Sequence, residues 1–187
     1  GTEATFASMV KSLDDGVGEI LDTLEAKGLD SNTIIVFTSD NGGERFSKNW
    51  PCRGVKGELL EGGIRVPTIV RWPGHVTPGS ENGLTNITMD FVPTLVAAAG
   101  INNRGLIAFD GVDLLPDLRA GTGGSERTLF WRHHAQNQAA AMQGDMKYLR
   151  MSGHEFLFDI GKDRREVANI RSHHPEAFAA LKPAFAE

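Results

Sequence analysis

The spacing of apolar side chains predicts a long amphipathic helix at the start of the chain. Between residues 3 and 27 they recur at steps of three and four, at Phe6, Met9, Val10, Leu13, Val17, Ile20, Leu21 and Leu24. Gly28 suits the left-handed position past the helix end. Residues 33–38 are β-branched and aromatic without polar alternation, which predicts a strand buried on both faces, as in a parallel sheet.

The rest of the pattern predicts shorter elements separated by loops. Residues 42–65 are rich in glycine and charge, as is typical of a long functional loop. The later elements are a strand at 68–71, a helix at 88–99, irregular chain at 101–126, strands at 128–132, 147–151 and 155–159, and a helix at 175–181. Turn residues stand at Asp110-Gly111 and at 121–124. We therefore expect an α/β core in residues 1–125, followed by a small antiparallel sheet and a helix in residues 126–187.

Composition and charge exclude several classes of function. The chain has 187 residues, 40% hydrophobic and 23% charged, so it can bury a sizeable core. The formal net charge of -5 argues against a strongly basic surface, so no nucleic-acid partner is expected. No apolar run approaches the roughly 20 residues of a membrane span, so no membrane partner is expected. Cys52 is the only cysteine, which excludes an internal disulfide.

An acid and an amide follow directly after the first predicted strand, in the stretch TIIVFTSDNGG. Ligands of open α/β sheets collect beyond the carboxyl ends of the strands, where Asp40 and Asn41 stand. Carboxylate and amide oxygens suit hard cations such as Ca²⁺ and Mg²⁺. Gly42 and Gly43 allow a tight turn and a close approach to a ligand. A plain turn is the alternative, because Asp-Asn-Gly is a common turn sequence.

A second stretch, RGVKGELLEGGIRVP at residues 53–67, places a lysine among four glycines. We call it the glycine loop. Lys56 would be a point charge in a pocket where the backbone can approach an oxyanion. A solvated run of charges is the alternative reading of this stretch alone.

Together the two stretches resemble the second signature region of the sulfatases, a family of the alkaline-phosphatase-like superfamily. The resemblance is carried by FTSDNG and, after a variable loop, by RGVKGELLEGGIRVP and RWPG. It continues through MDFVPTLVAAAG and FDGVDLLP to RTLFW, MKYLR and FLFD, so it covers nearly the whole chain. It implies the C-terminal part of an alkaline-phosphatase-like α/β fold.

The resemblance assigns roles to particular residues. Asp40 and Asn41 match two ligands of a divalent cation, usually Ca²⁺, with Mg²⁺ as the alternative. Lys56 matches the lysine that contacts the sulfate, and Asp40 matches a residue that also hydrogen-bonds the nucleophile. Glu61 and Arg65 match family positions that we expect to hold the loop rather than to touch substrate.

The resemblance also implies parts that this sequence does not contain. Sulfatases use a formylglycine made from the first residue of Cys/Ser-x-Pro-x-Arg, and its hydrated aldehyde attacks sulfur. Cys52 continues as CRGVK, and no serine begins the motif. The family's proteins are much longer, and this chain starts within its first predicted helix. We therefore expect a C-terminal fragment of an arylsulfatase-type sulfuric ester hydrolase, itself without turnover, and formylglycine only in a missing N-terminal portion.

His133 is a further candidate for contact with substrate. It stands with His134 beside a predicted strand, and in a full-length enzyme the pair would line the mouth of the pocket. The pair could also be metal ligands, but a position beside a strand rather than at helical metal spacing argues against a functional role.

Three functions stay open at this point. The first is hydrolysis of a sulfate monoester, either a small aryl sulfate or a sulfated carbohydrate. The second is a phosphonate or phosphate ester hydrolase of the same superfamily, since both esters are tetrahedral. The third is a non-catalytic remnant, against which the retained Asp40, Asn41 and Lys56 argue. An α/β sheet cut in mid-fold exposes strand edges and an apolar face, which predicts self-association of the fragment. The sequence does not set the localisation, although a periplasmic or secreted parent would agree with the resemblance.

Overall fold

A computed structural model of the protein describes residues 1–102, 108–121, 123 and 126–182. Its elements are α1 (Glu3–Ala26), β1 (Ile35–Thr38), α2 (Glu61–Ile64), β2 (Thr68–Arg71), α3 (Phe91–Ala98), α4 (Leu115–Ala120), β3 (Thr128–His133), β4 (Gln138–Gln143), β5 (Met146–Met151), β6 (His154–Asp159) and α5 (Pro175–Leu181). The predicted turn positions 122 and 124 lie outside the described residues.

The chain packs as two units. The strand-pair unit contains Ala7–Thr38 and Thr68–Ser125, and the sheet unit contains Gly1–Phe6, Ser39–Pro67 and Glu126–Glu187. The glycine loop thus groups with the C-terminal sheet in its packing. The division of the sequence into domains 1–125 and 126–187 stays a prediction.

The first predicted strand is real, but the parallel arrangement expected for it is wrong for this chain. β1 pairs antiparallel with β2, with Val36 opposite Val70 and Thr38 opposite Thr68. No residue of β1 is fully buried, and Phe37 is 39% exposed. The reason is that β2 is the only strand paired with β1 among the described residues, and a two-stranded ladder leaves its faces partly open.

The first helix forms as predicted, although none of its residues is buried. Its apolar face includes Met9, Leu13 and Ile20, which are 66%, 59% and 61% exposed. Apolar side chains spaced for a core therefore face outward in this chain. The self-association expected from such a surface stays a prediction. Among the described residues, no helix has the length and apolar character needed to cross a membrane.

A buried carboxylate organises the second half of the strand-pair unit. The predicted helix at 88–99 forms as a 3₁₀ turn at Thr88–Asp90 followed by α3. Asp90 is fully buried, and it accepts hydrogen bonds from the backbone N–H of Ile87 at 2.9 Å and of Val112 at 3.0 Å. The same carboxylate thus fixes the start of α3 and the approach to α4, a helix that the sequence did not predict.

We expect Asp90→Ala to lower the free energy of unfolding by about 2 kcal/mol, because two backbone N–H groups would lose the buried carboxylate that accepts from them. Urea unfolding of the 187-residue chain measures the change. Asp14→Ala is the control, since Asp14 is an exposed aspartate of α1, and it should stay within about 0.5 kcal/mol of the original protein. Equal midpoints for the two variants would contradict the bridging role of Asp90.

The sheet unit is built on the antiparallel order β3-β4-β5-β6. Ala141, Tyr148 and Leu157 lie side by side on one face, which packs against Leu181 of α5. Side chains of the opposite face include Gln138, whose Oε1 accepts a hydrogen bond from the backbone N–H of Leu59 at 2.8 Å. The glycine loop therefore lies against the face of the sheet opposite α5.

Candidate active site

The turn that contains Asp40 and Asn41 is joined to the glycine loop by backbone hydrogen bonds. The N–H of Gly42 donates to the carbonyl of Gly63 at 2.8 Å, and the N–H of Lys56 donates to the carbonyl of Gly43 at 3.1 Å. The second hydrogen bond joins Lys56 to Gly43, which is 13 residues earlier in the sequence, and so brings the turn of Asp40 and Asn41 beside it. The backbone segments that contain the three residues predicted for cation and sulfate contact are therefore joined to each other.

Asn49 is a structural residue of this site that sequence reasoning missed. Its Nδ2 donates to the carbonyls of Gly43 at 2.8 Å and Gly54 at 3.0 Å, while its Oδ1 accepts from the N–H of Gly43 at 3.1 Å. One side chain therefore satisfies backbone groups of both the turn and the glycine loop. A lone asparagine in a variable loop gave no sequence signal for this role.

The backbones of the turn and the loop pack so closely that only glycine fits at three positions. A β-carbon on Gly42 would overlap the carbonyl oxygen of Gly62, and one on Gly63 would overlap that of Glu58. A β-carbon on Gly62 would lie 2.6 Å from the carbonyl oxygen of Arg53. These glycines are needed for room between backbones, a reason separate from their torsional freedom.

The functional groups of the site face outward from this tightly packed base. Asp40 and Lys56 are exposed and Asn41 is half-buried, so their side chains can reach a ligand. Asp40 and Asn41 supply oxygen donors of the kind that hard cations take. Within the described part of the chain, no group of three or more His, Cys, Asp or Glu side chains is placed to hold a metal ion. A Ca²⁺ ion takes six to eight oxygen ligands, so these two side chains alone would not complete its coordination.

Glu61 and Arg65 occupy positions that agree with the expected loop-holding role. Glu61 is 3% exposed, and its Oε2 pairs with a guanidinium nitrogen of Arg65 at 3.1 Å. Burial raises the pKa of Glu61, but Lys147 and then Arg65 outweigh it, and the net pKa shift is downward. The ionised carboxylate is consequently favoured inside the protein.

His133 lies at the end of β3, in a turn that reaches the glycine loop. Its Nδ1 accepts a hydrogen bond from the backbone N–H of Gln136 at 3.2 Å. A β-carbon built on Gly57 would be 3.5 Å from Nε2 of Gln136. The turn after β3 therefore lies against the loop one residue beyond Lys56.

Comparison with known proteins identifies the family. A family model described as Sulfatase matches residues 3–101. A sulfatase from Formosa agariphila is 31% identical over 201 residues, covering 93% of this chain and 36% of that protein. This chain belongs to the sulfatase family. It spans about a third of the length of that relative, and family membership implies a metal cofactor in general terms.

Further comparisons agree in sequence and in fold. Arylsulfatase A from Bos taurus is 40% identical over 132 residues, covering 67% of this chain and 25% of that protein. The crystal structure of Ps i-CgsB in complex with k-i-k-neocarrahexaose matches 97% of this chain and 42% of that chain, with a TM-score of 0.89 and 28% identity. The predicted sulfatase α/β fold, with its small antiparallel sheet and helix, is confirmed.

Proposed function

We propose that this chain forms one wall of the active site of a full-length enzyme that hydrolyses sulfate monoesters. The observation that carries the proposal is the hydrogen bond from the N–H of Lys56 to the carbonyl of Gly43, which holds the lysine beside Asp40 and Asn41. A positive side chain and oxygen donors for a cation then approach the same ester from one rigid base. Similarity to the carbohydrate-bound Ps i-CgsB structure favours a sulfated carbohydrate as the substrate class.

In this proposal, Lys56 binds the sulfate through its ammonium group. Its backbone N–H is already used in the contact with Gly43, so the side chain alone is left to act on the ligand. A fixed cationic group stabilises negative charge that develops on the ester oxygens as the S–O bond breaks. Asp40 accepts a hydrogen bond from the nucleophile, which another part of the full-length enzyme supplies.

We assign Asp40 and Asn41 to a Ca²⁺ site, with Mg²⁺ as the alternative ion. The bound cation would supply electrostatic stabilisation of the sulfate oxygens. The exposed carboxylate of Asp40 and the amide oxygen of Asn41 are oxygen donors of the kind that this ion binds. The remaining ligands of the ion would come from residues other than these two.

The full-length protein with Asp40→Ala should retain at most about one tenth of the bound Ca²⁺ of the original, because the turn loses its only charged ligand. Metal content after dialysis, measured by mass spectrometry, tests this without any assay of activity. Glu44→Ala is the matched control, since Glu44 is exposed three residues beyond Asn41. Equal metal content in all three proteins would remove Asp40 from the site.

His133 is proposed as a second contact for substrate. Because its Nδ1 accepts the hydrogen bond from Gln136, the neutral imidazole carries its proton on Nε2. That N–H is then a donor for a sulfate oxygen or a sugar hydroxyl.

We also propose that the full-length protein is periplasmic or secreted.

The experiment that tests the function compares 4-nitrophenyl sulfate with 4-nitrophenyl phosphate, using the full-length protein and the 187-residue chain. We expect the full-length protein to favour the sulfate in kcat/KM, and the 187-residue chain to turn over neither ester. Preference for the phosphate would move the protein to the phosphate and phosphonate ester hydrolases of the superfamily. Absence of activity toward either ester, or toward sulfated carbohydrates, would favour a non-catalytic role.

A further inference from the structure

A fully buried lysine lies beneath the glycine loop. Lys147 lies on β5, on the face of the sheet opposite α5, and is 0% exposed. Its Nζ donates a hydrogen bond to Oε1 of Glu61 at 2.8 Å. The same Nζ lies 2.8 Å from Oε1 of Glu166, an ion pair without the alignment of a hydrogen bond.

The group is close to neutral in charge, because Arg65 also pairs with Glu61. Glu166 is 1% exposed, and its Oε2 accepts a hydrogen bond from the backbone N–H of Glu61 at 2.6 Å. Its backbone has a φ of 53°, in the left-handed region that non-glycine residues seldom adopt. The fold tolerates this conformation where the carboxylate meets both the side chain of Lys147 and the backbone of α2, and such outliers often mark a functional constraint.

The carboxylates differ in how firmly they are ionised. Burial is the largest influence on Glu166 and raises its pKa, although Lys147 opposes the change. For Glu61 burial also raises the pKa, but the ion pairs with Lys147 and Arg65 together outweigh it, and the pKa is lowered. The aligned hydrogen bond of Lys147 is to Glu61, in the first turn of α2, so this contact joins β5 to α2.

The contact between Lys147 and Glu61 is connected through α2 to the residues that are proposed to bind the cation and the sulfate. The carbonyl of Gly63 accepts from Gly42, next to Asn41, and the N–H of Gly62 donates to the carbonyl of Arg53 at 2.7 Å. A displacement of α2 would thus move the turn that contains Asp40 and Asn41, which we call the Asp-Asn turn. It would also move the part of the glycine loop that leads to Lys56. Buried ion pairs often contribute little to net stability compared with apolar side chains, which leaves a role in specifying geometry as the better account.

We infer that Lys147 is a positioning residue of the proposed sulfate site, which it holds in register by joining Glu61 of α2 and Glu166 to β5. The inference rests on the proposed function of Lys56. It predicts that the loss of Lys147 acts through the position of Lys56 and its neighbours rather than through the folded fraction of the protein.

A double-mutant cycle in the full-length protein separates these possibilities. Lys147→Met should lower kcat/KM for 4-nitrophenyl sulfate about 10- to 100-fold when Lys56 is present, as small misplacements of catalytic groups do. In the Lys56→Ala background the same change should cost less than about threefold, since the misplaced group is already absent. A purely structural loss would reduce activity by the same factor in both backgrounds, and that result would overturn the inference.

Two further variants keep the test decisive. Glu166→Gln preserves the shape of the side chain and should show the same non-additivity with a smaller loss, even if Lys147→Met does not fold. Lys162→Met is the matched control, because Lys162 is 87% exposed in its ion pair with Asp159. No loss of activity in either Lys147→Met or Glu166→Gln would also overturn the inference.

Amide hydrogen exchange on the 187-residue chain gives a readout that does not depend on activity. Glu166→Gln should speed exchange of the N–H groups of Gly42, Lys56 and Gly62 more than that of β3 and β4. Uniform acceleration, or none, would overturn the positioning role. If exchange responds as expected while Lys56→Ala leaves activity unchanged, the proposed function of Lys56 fails and the structural coupling stands.

Discussion

Replacing Gly42 with alanine should lower the free energy of unfolding of the 187-residue chain by roughly 3 kcal/mol, and it should displace the Asp-Asn turn. The added β-carbon would overlap the carbonyl oxygen of Gly62 and lie 2.9 Å from Cα of Gly63. Both neighbours are backbone atoms, so no side-chain rotation can relieve the overlap. The hydrogen bond from Gly42 to Gly63 would be lost or lengthened as the two segments separate.

Urea unfolding measures this change, and Gly18→Ala is the matched control. Gly18 lies within α1, and a β-carbon there would meet no atom within 4 Å. Alanine in an open helical position should stabilise the protein by up to about 1 kcal/mol, so the two substitutions are expected to differ in sign. A Gly42→Ala variant as stable as the original protein would show that the turn and the glycine loop are not tightly packed.

Hydrophobic patterning was sufficient for elements whose own side chains carry the signal. The strand at 68–71 has the bounds that were predicted, and α1 ends two residues before the predicted Gly28. Gly28 has a φ of 63°, as its place past the helix end requires. Pairing direction is a different matter, because it depends on which strands are neighbours, and the sequence of β1 alone contains no such information.

The missed strand β4 shows where local patterning fails. Its centre is Ala139, Ala140 and Ala141, and alanine is depleted in strands. All three are 0% exposed, since β4 is paired on both sides and covered on both faces. Small side chains are suited to this tertiary position, which sequence periodicity cannot indicate. Helix α4 is short and has turn residues on both sides, so its sequence pattern did not indicate a helix.

The candidate site likewise contains residues that the sequence indicates and residues whose role only the folded structure shows. Asp40, Asn41 and Lys56 were predicted from two signature stretches that resemble a family. The crowding around Gly42 and the role of Asn49 required the backbone to be placed. Lys147 and Glu166 are 86 and 105 residues from Glu61, so only the fold brings them together.

Replacing Lys56 with alanine should lower kcat/KM of the full-length enzyme for sulfate esters about 100- to 1000-fold, the range found when one stabiliser of developing charge is removed. The effect should appear mainly in kcat if the ammonium interacts more strongly with the transition state than with the bound ester. The fold should be preserved, because the contact with Gly43 uses the backbone N–H, which alanine retains, and the side chain is exposed.

Lys48→Ala provides the comparison, since Lys48 is another exposed lysine of the sheet unit that lies outside the glycine loop. Both substitutions remove one positive charge, so any change in the overall attraction of an anionic substrate is shared between them. A loss confined to Lys56→Ala would therefore report a direct contact with the sulfate. Equal kcat/KM for the two variants would exclude that contact, and the hydrogen bond that holds Lys56 beside Asp40 and Asn41 would then serve only to close the loop.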